Sequence, residues 1–273
     1  MSRLTGDRTE PSMSKWQLYD ELIEGVPRDL KASEVLVCRN RTMVTCEIGS
    51  GMAMTMDSGA YPSQIIGSPV GKSLRDLAAL IKSWNFVDAS VGLAAMNAYY
   101  NSEKQVTELK ARISQMYPDN RNQTEDAFLY YQPMVEGKKV ATIGHFAYLD
   151  RRFAPICDLS ILERAQERGD YPDSACEFIL PEQDFVFITA TTLINKTLPR
   201  LLEICKGEGK KPQVILCGPS TVMSPTLFAH GVDDLAGFMV LEPEVCRQFI
   251  SFDNASVFAS GKMIRALKPE SMI

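Results

Sequence analysis

Residues Phe185–Gly237, FVFITATTLINKTLPRLLEICKGEGKKPQVILCGPSTVMSPTLFAHGVDDLAG, decide the fold. The apolar runs Phe185–Ala190 and Val214–Cys217 are short and nearly continuous, as in parallel strands covered on both faces. Between them Leu198, Leu201, Leu202 and Cys205 recur at helical spacing, and Gly207 supplies a stop. Each strand empties into a hydroxyl-rich loop, Thr189–Lys196 after the first and Gly218–Ser224 after the second. Ligands of open α/β sheets bind outside the carboxyl ends of the strands, so this stretch predicts a binding edge.

Outward from it the pattern continues. Lys138–Gly144 reads as the opening strand of a doubly wound domain, followed by strands at Leu159–Leu162, near Gly237–Leu241 and at Lys262–Leu267. Helical segments between them predict a parallel sheet with right-handed crossovers. Ser224, Pro225 and Gly231 bracket a short helix, Pro225–His230. The first turn keeps half of a dinucleotide fingerprint: Gly144 and Ala147 stand in place but the first glycine is missing, and Glu163 follows about twenty residues on. A Rossmann-like turn serving another ligand is therefore expected in preference to NAD.

Toward the amino terminus, Met1–Met13 reads as a disordered tail, 14–135 as a smaller α+β domain and 136–273 as the Rossmann-like domain. Ser14 with Gln17 forms a capping box for a helix that Gly25 and Pro27 end. Strand-like runs Glu34–Arg39 and Thr42–Ile48 flank a turn at Asn40–Arg41, and Met52, Met54 and Met56 alternate at strand period. That methionine row could hold a soft metal, but core packing is the favoured reading. Gly49, Gly51 and Gly59 suggest backbone that bends or approaches something closely. Gly67–Ser73 falls one residue short of a phosphate loop, and Ser73 with Asp76 reads instead as a helix cap. Along the helix Val87–Asn101, the polar residues Ser90, Asn97 and Asn101 share one face. Asn97 either faces a cleft or has a purely structural role, on an exposed face near the helix end or satisfying neighbouring backbone; the structural role is preferred for the other two.

Composition narrows the function classes. The 273 residues are 45% hydrophobic and 23% charged, as in an ordinary globular protein. A formal net charge of -5 disfavours a nucleic-acid or anionic-membrane partner. No apolar run approaches membrane-spanning length, and the first residues carry no secretory pattern. Seven irregularly spaced cysteines fit a reducing compartment, so a cytoplasmic location is expected. A homodimer is compatible with this composition.

Several motifs carry a resemblance. GHFAYLDR (144–151), PICDLSILER (155–164), GDYP (169–172), EFILPE (177–182), TTLINKTLPRLLE (191–203) and GPSTVMSPTLFAHGVDDLAGFMV (218–240) are similar to the heavy-metal-chelation family, as is SWNFVDASVGLAAMNAYYN (83–101). The resemblance implies an enolase-amino-terminal-like domain followed by a Rossmann-like domain, with a site between them. That site would take His145 and Phe146 from the first loop and Glu163 from the end of the second strand. Thr191, Thr192, Asn195 and Lys196 would come from the third, Gly218, Pro219, Ser220 and Thr221 from the fourth, and Asn97 from the other domain. Ala147 stands where the family often has proline, and Glu242 is shifted one place from a usual acid.

The chemistry follows from these side chains. A lysine near a helix start opposes the macrodipole, so Lys196 makes better sense beside a carboxylate or phosphate. Hydroxyls, an amide and backbone N–H groups suit an anion or polar small molecule. Metal binding needs converging soft or imidazole ligands, and the chain has two histidines and no Cys-x-x-Cys. His145, Cys157, Asp158 and Cys176 are the best metal candidates. The expected function is binding of a small anionic or metal-chelating ligand between the domains, the cofactor being a heavy or transition metal or a metal chelate. The alternative is an enzyme with His145 as general acid or base and Lys196 as anion stabiliser.

Overall fold

The computed structural model describes residues 15–57, 61–115, 125–146, 149–252 and 255–272. The expectations placed on Met1–Met13, Ser14, Gly59 and Ala147 lie outside these residues. Among the described residues no helix is long and apolar enough to cross a membrane.

Strands β1 (Ala32–Val37), β2 (Arg41–Cys46) and β3 (Gly49–Met54) form a small antiparallel sheet in that order. Helix α3 (Phe86–Tyr100) packs on this sheet, α2 (Leu74–Ala78) packs on α3, and α1 (Gln17–Gly25) lies against α2. The small residues of α3 matter because they let backbone meet backbone: a Cβ on Gly51 of β3 would fall 2.0 Å from Ala98 N. Asn85 caps α3 by accepting from Asp88 N at 3.1 Å. Ser73 precedes α2 but makes no side-chain cap; its hydroxyl donates to Arg28 O, which corrects the cap expected there. The methionine row is divided: Met52 is buried, and Met54 and Met56 line two different cavities.

The chain continues through α4 (Glu103–Glu108), β4 (Arg112–Ile113) and α5 (Ala127–Tyr131). There follow β5 (Lys139–Ile143), α6 (Leu149–Arg152), β6 (Asp158–Glu163), β7 (Tyr171–Pro172), α7 (Cys176–Ile179) and β8 (Phe185–Thr189). The last elements are α8 (Leu198–Lys206), β9 (Gln213–Cys217), α9 (Pro225–Ala229), β10 (Asp234–Val240), α10 (Pro243–Ser251) and β11 (Gly261–Leu267). The large sheet has eight strands in the order β4-β11-β10-β9-β8-β5-β6-β7. Strands β5 to β10 run parallel, and the chain goes from β5 outward through β6 and β7, then returns to the opposite side of β5 at β8. The reversal makes the carboxyl ends of β5 and β8 a topological switch point, where such sheets hold ligands.

One expectation fails at the sheet's end. β11 is antiparallel to β10. The N–H groups of Leu241 and Glu242 both donate to Ser260 O at 2.9 Å, so the excursion through α10 leaves and re-enters at one end of the sheet. A strand entering there must run back. β4 then adds antiparallel to β11.

The largest core cluster joins both parts of the chain, from Leu18 and Ala94 to Leu216 and Leu227. The other face of the large sheet carries an aromatic cluster in which Phe128 stacks on Phe187 with centroids 4.9 Å apart. β4 and α5, which precede residue 136, thus belong to the layers of the large sheet.

Candidate functional site

Two cavities open at the switch point, and Thr189 and Thr191 line both. The larger, about 600 Å³, lies on the aromatic-cluster side and is lined by His145, Phe146, Gly218, Pro219 and Ser220. Arg41 and Met54 reach it from the small sheet, and Phe128, Arg152, Phe258 and Met263 complete its walls. The smaller, about 470 Å³, takes Gly144, Glu163, Thr192 and Asn195, with Met56 and Phe86 opposite. The loops expected to form one cleft therefore form two. Gly144 fits between them with a positive φ of 108°, and a Cβ there would sit 3.2 Å from the Thr189 methyl.

His145 is held from two sides. Its N–H donates to Glu163 Oε2 at 3.0 Å, and its Nδ1 lies 3.0 Å from the nearer oxygen of Asp170, a carboxylate only 3% exposed. The hydrogen bond to Asp170 raises the imidazole's pKa. The Asp150 carboxylate stands 3.9 Å from Nε2. Asp170 escaped the residue-by-residue reading: it sits in the GDYP motif, 25 positions from His145, and no local spacing links the two.

Glu163 is occupied by backbone. Besides His145 N, it accepts from Arg164 N at 2.6 Å and Ala165 N at 3.2 Å through Oε1. The carboxylate thus ties the first loop to the end of β6. Thr192 donates to Thr189 O at 2.7 Å, and Asn195 Oδ1 accepts from the Thr197 hydroxyl at 2.6 Å. Thr191 keeps its hydroxyl 3.0 Å from that of Thr189, at the crest between the cavities.

Lys196 lines neither cavity. It has a left-handed backbone (φ 65°), and its ammonium donates to Ser83 O and Ile194 O, 5.0 Å from the centre of the Phe86 ring. Burial pushes its pKa down to about 8. The expected partnership of Lys196 with His145 is therefore corrected: this lysine fastens its loop to the segment before α3.

Asn97 is fully buried and lines neither of these two cavities. Its amide donates to Met52 O at 2.8 Å and Ser220 O at 3.1 Å, so it satisfies backbone instead of facing a cleft. Asn101 does the same work for Thr221 O and Phe238 O, and its oxygen accepts from Met223 N. Ser90 donates to Phe86 O. Thr221 is buried with Asn101, whereas Ser220 touches the larger cavity while its Oγ accepts from Met54 N at 2.9 Å.

The proposed metal constellation is not assembled. Among the described residues no group of three or more His, Cys, Asp or Glu could hold an ion. Asp158 opens β6 opposite Lys139, whereas His145 follows the end of β5, so they lie at opposite edges of the sheet. Cys157 bonds Phe153 O, and Cys176 is buried beside the smaller cavity. Burial pushes each thiol up to about 11, away from the thiolate a metal requires. All seven cysteines are free of disulfides.

Comparison with known proteins gives consistent matches. Residues 126–266 match the DUF364 profile and residues 19–100 the DUF4213 profile, both described as "Putative heavy-metal chelation". A crystal structure of a DUF364 protein of unknown function from Desulfitobacterium hafniense is 36% identical, with a TM-score of 0.82 over 93% of this chain and 99% of that one. A DUF364 structure from Pyrococcus horikoshii, 22% identical, shares the fold with a TM-score of 0.70 over 92% of this chain and 99% of its own. An uncharacterized protein of Methanocaldococcus jannaschii is 26% identical over 198 residues, 70% of each chain.

Proposed function

The chain belongs to the DUF364 heavy-metal-chelation family, and we propose that it binds a small anionic or metal-chelating ligand at the carboxyl edge of its parallel sheet. The observation that carries this reading is the cavity of about 600 Å³ at the switch point, with His145, Arg41 and Arg152 in its wall. A bare ion is a poor fit to the described residues, because no three donors converge and burial disfavours the thiolates of Cys157 and Cys176. A metal handled here arrives inside an organic chelate whose own atoms supply its ligands.

Native mass spectrometry with elemental analysis, on protein purified without chelators or affinity metal, tests the reading. A retained organic mass, with or without stoichiometric metal, is the expected result. Stoichiometric metal with no organic mass would overturn it.

Turnover of the bound anion is a second reading, favoured by the Asp170–His145 pair, since a carboxylate that fixes one ring nitrogen leaves the other for proton transfer. Under it, His145→Gln retains the organic mass but no longer converts it. Equal conversion by this variant would remove His145 from the chemistry.

A further inference from the structure

The walls of the larger cavity say more about the ligand than its charge. Phe128, Phe146, Phe258, Met54 and Met263 supply five apolar surfaces, and two of the rings, Phe128 and Phe146, lie 4.8 Å apart by their centroids. A volume of about 600 Å³ is that of an organic-ligand site, far larger than a simple inorganic anion or a short aliphatic acid requires. Water in so apolar a space has few partners, so an occupant gains by covering the rings and methionines.

The polar groups converge on part of this wall. Arg152 has no ion-pair partner among the described residues. Arg41 enters from β2 and donates to Asn40 O at 2.9 Å. His145 spends Nδ1 on buried Asp170, which leaves Nε2 as its remaining polar contact. Two carboxylates stand nearby. Asp126, in the wall, accepts from Leu129 N at 3.1 Å as the cap of α5, and Asp150 is 72% exposed.

We infer that the larger cavity recognises a flat aromatic anion: its rings lie against Phe128, Phe146 and Phe258, and its acid group meets Arg152 and the Nε2 edge of His145, which Asp170 orients. The inference rests on the ligand-binding reading above and narrows it to one chemical class. Asp170 is a positioning residue in this arrangement, acting through His145, and its Oδ2 also accepts from Glu167 N at 2.9 Å.

Three probes separate the contributions: 2-naphthoate, the neutral 2-naphthylmethanol and the aliphatic dianion succinate. Titration calorimetry on the full chain should show naphthoate binding at least about tenfold tighter than either of the others, the factor a charge-assisted contact contributes. Arg152→Gln should cut that preference over the alcohol to within about threefold while the alcohol binds as before. The chain contains two histidines, so nitrogen-15 labelling of histidine gives a direct map. Naphthoate should move the ring signals of His145 and leave those of His230 in place. Asp170→Asn should alter the tautomer signature of His145 and weaken naphthoate more than the alcohol, with a melting curve confirming that both variants fold.

Equal binding of naphthoate and the alcohol would overturn the anion part, and succinate matching naphthoate would overturn the aromatic part. Naphthoate bound with His145 unmoved would place the site elsewhere and end the inference. If no probe binds but purified protein retains an organic mass, the chemical class is wrong and the ligand-binding reading survives. If neither occurs, both fall.

Discussion

The two hydroxyl-rich loops leave adjacent parallel strands at one edge of the sheet, yet they are used differently. After β8, Thr191 stands at the crest between two cavities, its hydroxyl engaged with that of Thr189. After β9, Thr221 is buried, and the carbonyls of Ser220 and Thr221 accept from Asn97 of α3 and from Asn101, which ends that helix. The composition of the loops is similar; what covers them is not. Helix α3 lies over the second loop and uses its polar backbone to dock the two parts of the chain. The first loop is fastened chiefly at its far end, through Lys196, and its crest stays open to the cavities.

The largest expected effect is at the docked loop. Asn101→Ala would leave Met223 N and two carbonyls without their partner in a buried site, at a cost of about 3 kcal/mol. Urea unfolding should show the midpoint fall with the slope unchanged. A loss under about 1 kcal/mol would mean that the docking rests on apolar contact alone.

Ser220→Ala removes one acceptor from Met54 N and should cost about 1–2 kcal/mol in the same measurement. The equivalent loss on the first loop would erase the contrast between them.

Lys196 gives a pH-dependent comparison. Its folded pKa is pushed down to about 8 from an ordinary 10.5, so between these values the unfolded chain binds more protons. The lysine's contribution to stability therefore rises as pH climbs from about 8 toward 10.5, and below about 8 its desolvation penalty is fully present. Solvent around the half-buried group reduces the size of this effect. Unfolding of the wild type and Lys196→Met at pH 7.5 and pH 10, with each read as a difference between the two proteins, checks the direction.

Thr191→Ala should be smallest in stability, within about 0.5 kcal/mol, because its hydroxyl meets only the half-buried hydroxyl of Thr189. It should nonetheless alter the affinity of whatever ligand the protein retains. A change in stability without one in affinity would assign Thr191 to the scaffold.

Much of this architecture was legible in the chain. The runs that become β8 and β9, the stop at Gly207 and the bracket around α9 are local signals, and the structure places them within a residue or so of their expected ends. The direction of β11 was not legible, because it depends on where the excursion through α10 re-enters the sheet, a matter of the contact between Leu241, Glu242 and Ser260. The candidate site was legible by edge and by loop. Its internal division was not: the roles of Asn97, Glu163 and Lys196 depend on backbone groups that lie far from them in sequence or become available only once their loops are folded.

Apolar periodicity and turn chemistry alone therefore dictate an α/β domain, the runs that become β5, β6, β8, β9, β10 and β11, and a polar carboxyl edge, because these depend on residues a few positions apart. Tertiary packing alone pairs His145 with Asp170, brings Arg41 and Met54 across to the same cavity, and keeps Cys157 and Asp158 at the opposite end of the sheet from His145. A hydroxyl, an amide or a carboxylate reads the same in sequence whether it faces a ligand or a buried carbonyl. Only the arrangement of the surrounding backbone, which sets the cost of leaving each polar group unpaired, decides between them.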